Sequence, residues 1–415
     1  MKNKRIAVIA YHTCPLSDEG QEIGGMNIYV LEMSKMLAKK GFIIDIFTRC
    51  QDNKSEKIVE VCPNLRVIHL VAGKSAPIEK RKLRPLIPAF IVSFDKFVNE
   101  EKLHYDIVDC HYYLSGIIGL AIKATYKIPL FMKYHTLGIM KNLVARDEDE
   151  TEDIYRIKTE MHLARQSDKI FANSRTEEAY IESLYGARKD AIIILSPGVN
   201  VELFHPYDKV TAKKEVGAPL EKKMILFVGR PEPLKGIDTL MYAVKILIEK
   251  DPLLSLSLWI VGGIVGKNID TWSKELKKLE SLRRTLSISS NVHFIGRKSQ
   301  EELPSFYNAA DIVVLPSHYE SFGITALEAM ACGTPVVTTD VTGVADLFDK
   351  KHSPLITSAH NPIRLAQKLH NLLTDKKMYE KSSKEVFEKV QDLSWSKIAD
   401  KYISVVNKCT TRSVL

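Results

Sequence analysis

DIVVLPSHYESFGITALEAMACGTPVVTTD, residues Asp311 to Asp340, decides how the rest of the chain reads. Its ends, Ile312 to Leu315 and Pro335 to Thr339, are short β-branched apolar runs of the kind buried on both faces of a parallel sheet. Between them Ile324, Leu327 and Ala331 recur with helical spacing, and Gly333 with Pro335 supplies the stop, so the stretch is a β-loop-α-β unit. At about 100° per residue Glu328 falls inside the apolar stripe. A carboxylate without a partner there costs several kcal/mol, so a polar partner is expected. Glu320 lies earlier, in the loop between strand and helix, beside backbone N–H groups at Phe322 and Gly323 that suit an anion. Either both carboxylates and an anion seat share a ligand crevice, or Glu320 caps the helix and Glu328 answers a structural arginine or lysine.

Upstream, MILFVGRPEPLKG puts Arg230 at the end of an apolar strand and Lys235 five residues later, with Pro231 and Pro233 fixing the connection. Two cations outside the carboxyl end of a strand suit a diphosphate, although the bare pattern also describes a surface pair. The same α/β alternation continues from Met224 through SLWIVGG, VHFIGR and a helix opened by Ser299 and Glu302 as a capping box. It also fills the first half. Strands are expected at Arg5 to Tyr11, Ile43 to Thr48, Leu65 to Val71, Tyr105 to His111, Ile128 to Tyr134, Lys169 to Ala172 and Ile192 to Leu195. A helix carrying Val30, Met33 and Leu37 follows the first strand, after a polar loop ending in Gly24-Gly25, where backbone can approach a phosphate or simply turn. SPGVN at 196–200 is a turn-rich exit. The reading is two Rossmann-like α/β domains, 1–200 and 201–390, and a tail, 391–415, with Trp395 and Tyr402 in an amphipathic pattern.

The 415 residues are enough for two cores, and the net charge of +8 is too diffuse for nucleic acid. The densest basic stretch, Lys80 to Arg84, lies in KSAPIEKRKLRPLIPAFIVSFDKFV, which reads as a solvated helix start with a core-facing end at least as readily as a phosphate binder or a membrane-surface segment. Six cysteines without C-x-x-C spacing read as reduced structural thiols. No signal-peptide pattern opens the chain and no apolar run reaches the roughly 20 residues of a membrane span, so cytoplasmic residence is expected. DEDETED at 147–153 reads as a solvated loop, with no metal site. The absence of G-x-G-x-x-G followed by an acid disfavours a nicotinamide dehydrogenase.

ESFGITALE with ACGTPVV resembles the E-x7-E signature of retaining GT-B glycosyltransferases, in particular glycosyltransferase family 4. VGR-x4-KG resembles the family's donor-phosphate clamp, and GGMNIYVLE followed by DIFTR resembles its branch of sucrose-phosphate synthases and inositol-phosphate N-acetylglucosaminyltransferases. The resemblance implies the GT-B fold: two parallel-sheet domains facing across a cleft, with the C-terminal helix returning to the first. It implies a metal-independent, retaining hexosyltransferase that needs no cofactor and takes a nucleotide sugar, a UDP-sugar, as substrate.

It also assigns roles. Arg230 and Lys235 would clamp the donor diphosphate, approached by Gly24 and Gly25. Glu320, with N–H groups along Ser321, Phe322, Gly323 and Ile324, would hold the donor sugar, and Glu328 the ribose. The carbonyl at His135 would face the anomeric carbon, which makes His135, Glu320, Arg230 and Lys235 the catalytic set. Asn27, Thr48, Lys80, Tyr112, Thr136 and Arg156 would bind a small polar acceptor. Relatives carry two adjacent arginines before the glutamate matching Glu160, whereas here Arg156 is followed by Ile157. A phosphorylated acceptor, a neutral or amino cyclitol and another sugar therefore all stay open. The alternative enzyme uses a lipid-linked acceptor, with residues 80–98 as the attachment surface, and a non-catalytic sugar-nucleotide binder is a third class. No nucleic acid partner is expected, and a homodimer is compatible with the sequence.

Overall fold

A computed structural model describes residues 4–16, 24–53, 55–266 and 268–410. The polar loop leading to Gly24 thus lies largely outside the described residues. The chain divides into a first unit of residues 1–139, 152–198 and 395–415, and a second of 140–151 and 199–394.

The first unit is built on eight strands: β1 Arg5–Ile9, β2 Ile43–Arg49, β3 Ile58–Cys62, β4 Leu65–Leu70, β5 Ile107–His111, β6 Leu130–Lys133, β7 Lys169–Ala172 and β8 Ile192–Ile194. Their order is β3-β4-β2-β1-β5-β6-β7-β8. All pairs are parallel except β3 with β4. This hairpin adds an antiparallel edge strand, β3, to the expected parallel sheet. IVEVC is short and only half-buried on both faces, so it lacks the apolar run that marks the inner strands.

The helix Gly25–Lys39 buries Tyr29, Val30, Met33 and Leu37. The last helix, Trp395–Thr410, packs against it and buries Trp395, Ile398, Ala399, Tyr402 and Val406, one stripe at helical spacing. This helix belongs to the first unit, while 391–394 stays with the second. The basic segment resolves into two short turns, Lys80–Lys82 and Arg84–Leu86, and a helix, Ile87–Glu100. That helix buries Ile87, Phe90, Phe94, Phe97 and Val98, with Phe94 edge-on to Phe47 at 4.7 Å between ring centroids. The aromatic side chains of this segment are core, while Pro88, Ala89 and Val92 stay exposed.

The second unit has six strands: β9 Lys223–Val228, β10 Leu256–Val261, β11 Val292–Gly296, β12 Ile312–Leu315, β13 Val336–Thr339 and β14 Ile356–Thr357. They run β11-β10-β9-β12-β13-β14, every pair parallel. Segment 140–151 joins this unit rather than the first, because Arg146 donates to the Pro233 carbonyl at 3.1 Å and pairs with Asp238 at 3.1 Å. Within the acidic run Asp147, Glu148 and Asp149 are exposed. Its end is structural, since the Asp153 carboxylate accepts the Arg156 N–H at 2.7 Å and caps the helix Ile154–Gln166. None of the six cysteines forms a disulfide. Among the described residues no helix is long and apolar enough to cross a membrane.

Candidate active site

In the second unit the predicted donor residues gather at the carboxyl ends of β9 and β12, where open α/β sheets bind ligands. After β9 the chain turns through Pro233–Lys235 into Gly236, whose φ of 65° and position favour glycine: a Cβ there would lie 2.2 Å from the Pro316 carbonyl oxygen. The His318 N–H donates to the Leu234 carbonyl at 2.8 Å, so the loops after β9 and β12 are stitched together. The Lys235 ammonium consequently meets the Glu320 carboxylate. Arg230 is exposed and pairs with Glu232 at 2.8 Å. Both expected phosphate cations therefore rest on carboxylates. Ser321 and Phe322 are buried, and the Val344 N–H donates to the Phe322 carbonyl at 3.0 Å. Gly323, at φ 104°, turns the chain into the helix Ile324–Ala331.

Glu328, on that helix, is buried and accepts the Tyr307 hydroxyl at 2.6 Å. The expected polar partner exists, and it is a phenol rather than an arginine or lysine. Burial pushes the Glu328 carboxyl up from 4.5 to about 7, with hydrogen bonds from Tyr307 and Gln300 opposing. A folded pKa above the unfolded one means the ionised form is disfavoured by folding. The penalty is absent below the unfolded value, grows between pH 4.5 and about 7, and is complete above that window. Glu328→Gln is therefore expected to stabilise the chain by about 1 to 3 kcal/mol at pH 8, with no gain near pH 4.5. Urea unfolding at the two pH values checks this, and equal stability at pH 8 would mean that the carboxylate carries no such penalty.

In the first unit two non-glycine residues with positive φ stand at the carboxyl ends of neighbouring strands, Tyr112 (77°) after β5 and His135 (62°) beyond β6. Such strain persists only where surroundings impose it. The His135 ring meets His111 at 2.9 Å between Nε2 and Nδ1, and burial holds both imidazoles below their usual range, His111 at about 3. Next to His135, the Thr136 carbonyl and hydroxyl accept Arg156 Nη2 at 2.8 and 3.0 Å. The rest of the Arg156 fork meets Glu160 and Glu152, each at 2.7 Å. Arg156 therefore backs Thr136 and Tyr112 from within the core.

The Tyr112 ring lies beneath both the Arg156 guanidinium, at 4.8 Å, and the Lys80 ammonium, at 5.1 Å. Among the described residues its buried hydroxyl has no hydrogen-bond partner, and neither have Thr48 Oγ1 and His12 Nδ1. His12, ring to ring with Tyr112 at 4.5 Å, is pushed down to about 3 by burial and then by the Lys80 and Arg156 charges. It is a neutral acceptor beside cations. Asn27 donates to Thr13 Oγ1 at 3.0 Å and the Cys14 carbonyl at 3.1 Å, just beyond His12. Gly24 caps the helix Gly25–Lys39 at φ −95°, a conformation open to any residue, and no described atom lies within 4 Å of where its Cβ would be. Nothing among the described residues requires glycine there.

Two family models match the chain, Glycosyltransferase Family 4 over residues 23–203 and Glycosyl transferases group 1 over 208–389. The D-inositol 3-phosphate glycosyltransferase of Corynebacterium efficiens is 35% identical over 98% of this chain and 96% of its own length. The chain belongs to glycosyltransferase family 4. A protein of the same description from Nocardiopsis dassonvillei is 34% identical over 99% of this chain and 96% of its own. Among solved structures, sucrose-phosphate synthase from Thermosynechococcus elongatus is 30% identical, covers 98% of this chain and 99% of its own, and superposes with a TM-score of 0.87. The glycosyltransferase thus has the GT-B architecture that its motifs resemble.

Several residues at these glycosyltransferase sites escaped the sequence reading. His12 stood in plain view as a polar residue just past an apolar strand. His111 looked like an ordinary strand end, and Tyr307, inside the helix Leu303–Ala309, carried no signal of its own. Gly262 is fixed by packing, since a Cβ there would lie 1.9 Å from the Gly229 carbonyl oxygen, where the ends of β9 and β10 approach closely. Among the described residues no group of three or more His, Cys, Asp or Glu side chains is arranged to hold a metal ion.

Proposed function

We propose that this glycosyltransferase is a cytoplasmic enzyme that moves a hexose from a UDP-sugar to a small phosphorylated cyclitol or sugar, with retention of anomeric configuration and without a metal ion. The observation that carries the reading is the buried Tyr112 hydroxyl, without a partner among the described residues, on a ring beneath Lys80 and Arg156. Such a polar atom is costly unless a ligand completes it, and the neighbouring cations favour an anionic one. The relatives at 34–35% identity, named for a phosphorylated inositol, support the same acceptor class. The UDP donor follows from the resemblance of the clamp and E-x7-E motifs.

In this scheme Glu328 accepts ribose hydroxyls and Glu320 accepts hydroxyls of the donor sugar. Lys235 and Arg230 turn from their carboxylates to the diphosphate, whose charge grows as the bond from C1 to phosphate oxygen breaks. An acceptor hydroxyl oxygen bonds to C1 on the same face, and its proton passes to the leaving phosphate. The His135 carbonyl faces C1 as positive charge develops there. Because two cations neutralise the leaving group, no Lewis acid is needed.

The test is incubation of the purified protein with UDP-sugars and inositol phosphates in excess EDTA, with the product's anomeric proton read by NMR. An α product in EDTA is expected from an α donor. A β product removes retention, and loss of activity in EDTA removes metal independence. Lys80→Ala is expected to raise the acceptor KM by about 10- to 150-fold, the worth of a charge-assisted hydrogen bond, with the donor Kd unchanged. A wild type that prefers neutral acceptors, with a variant indifferent to phosphate, overturns the phosphorylated acceptor.

A further inference from the structure

Behind His135 a line of polar side chains runs through the interior of the first unit. Asp109, on β5, is 4% exposed. Its Oδ2 accepts the hydroxyl of Tyr402, from the last helix, at 2.8 Å and lies 3.8 Å from His111 Nε2. Among the described residues its Oδ1 has no hydrogen-bond partner. His111 Nδ1 in turn meets His135 Nε2 at 2.9 Å. The buried Lys133 ammonium sits over the Tyr29 ring at 4.5 Å and donates to the Leu195 carbonyl at 3.0 Å. Lys133, Tyr402, Tyr29, Cys110 and His111 are the titratable groups around Asp109.

The contact between the two imidazoles needs one proton between them, and two arrangements supply it. If His111 carries it on Nδ1, its bare Nε2 lone pair faces the Asp109 carboxylate. If His111 carries its proton on Nε2, that N–H points toward the carboxylate, and His135 Nε2–H donates to His111 Nδ1. Charge favours the second, because in a dry interior a lone pair and a carboxylate at 3.8 Å repel whereas an N–H and a carboxylate attract.

We propose that Asp109, oriented by Tyr402, acts through His111 to fix His135 in the Nε2–H tautomer and hold its ring, so that Asp109, His111 and Tyr402 are positioning residues for sugar transfer. The relevance to transfer rests on the role proposed above for His135, whereas the tautomer itself does not. His135 needs such support because its backbone is held at φ 62°. With the ring anchored, the strained peptide presents its carbonyl in one direction. With the ring released, the peptide can relax.

The experiment is 15N NMR of ring-labelled histidines in the whole protein at pH 8, with the His135 resonances assigned from His135→Gln. Wild type is expected to show Nε2 protonated and Nδ1 bare. In Asp109→Asn the preference is expected to reverse or become mixed, and in Tyr402→Phe to weaken. A wild-type Nδ1–H tautomer, or one unmoved in a folded Asp109→Asn, overturns the proposal whatever the activity. The wild-type measurement decides alone if Asp109→Asn does not fold. Turnover is read separately: kcat is expected to fall about tenfold in Asp109→Asn and a few-fold in Tyr402→Phe, with the nucleotide-sugar Kd unchanged. A tautomer shift without any UDP-sugar turnover in wild type would preserve the ring assignment and refute the proposed function.

Discussion

Lys235→Ala is expected to lower kcat/KM by about 10² or more while the chain stays folded, because in the proposed mechanism the ammonium stabilises charge that develops only as the leaving group departs. The structure sharpens this prediction. Lys235 rests on Glu320, with 18% and 20% of the two side chains exposed, so its removal also leaves Glu320 without its cation at the edge of the donor region. Added negative charge there repels a diphosphate, so both donor binding and turnover suffer. Arg230→Ala, with a side chain 47% exposed and a partner within its own loop, is expected to lose about 10², mostly in kcat. The comparison is made by steady-state kinetics with donor Kd from calorimetry. Normal turnover in both folded variants would place the phosphate clamp elsewhere.

The second large effect is on stability. Arg156 is 1% exposed and answers Glu160, fully buried, and Glu152, 9% exposed on its side chain. Removing one member of a buried ion cluster leaves uncompensated charge, at a cost of about 3 to 5 kcal/mol. Arg156→Met is expected to lower the free energy of unfolding by that amount at pH 8, and Glu160→Gln in the same chain to restore part of it. Urea denaturation with both variants measures the difference. Equal stability of wild type and Arg156→Met would mean that the buried ion cluster contributes no net stability. Activity is a poor readout at this position, because the guanidinium also lies over the Tyr112 ring, which the proposed function places at the acceptor.

What the sequence made legible followed from periodicity. ILE-rich and VAL-rich strand runs and the 324–331 stripe specify burial by their own spacing, and the helix there forms as Ile324–Ala331. Glu328 was legible as a buried carboxylate in want of a partner for the same reason. That the partner is Tyr307 was not, because spacing says which face a residue occupies and nothing about what meets it. The edge strand β3 and segment 140–151 show the limit from the other side. The first is too short and half-wet to carry a pattern, and the second is assigned by Arg146 reaching Asp238, 92 positions away. Lys235 and Glu320, 85 positions apart, could be joined only by resemblance, and the contact of Tyr402 with Asp109, across 293 positions, had no signal at all.

The last helix bears on how the protein is made. Residues 395–410 leave the ribosome after the whole second unit, yet they cover Tyr29 and supply the hydroxyl that meets Asp109 in the first. A nascent chain halted near residue 200 therefore has all eight strands of its first sheet and still exposes the apolar seat of Trp395, Ile398 and Tyr402. The first unit to begin folding is the last to finish, and in that interval it is open to aggregation or chaperone capture. A fragment meant to reproduce this unit must carry its final helix, fused or added as a separate peptide.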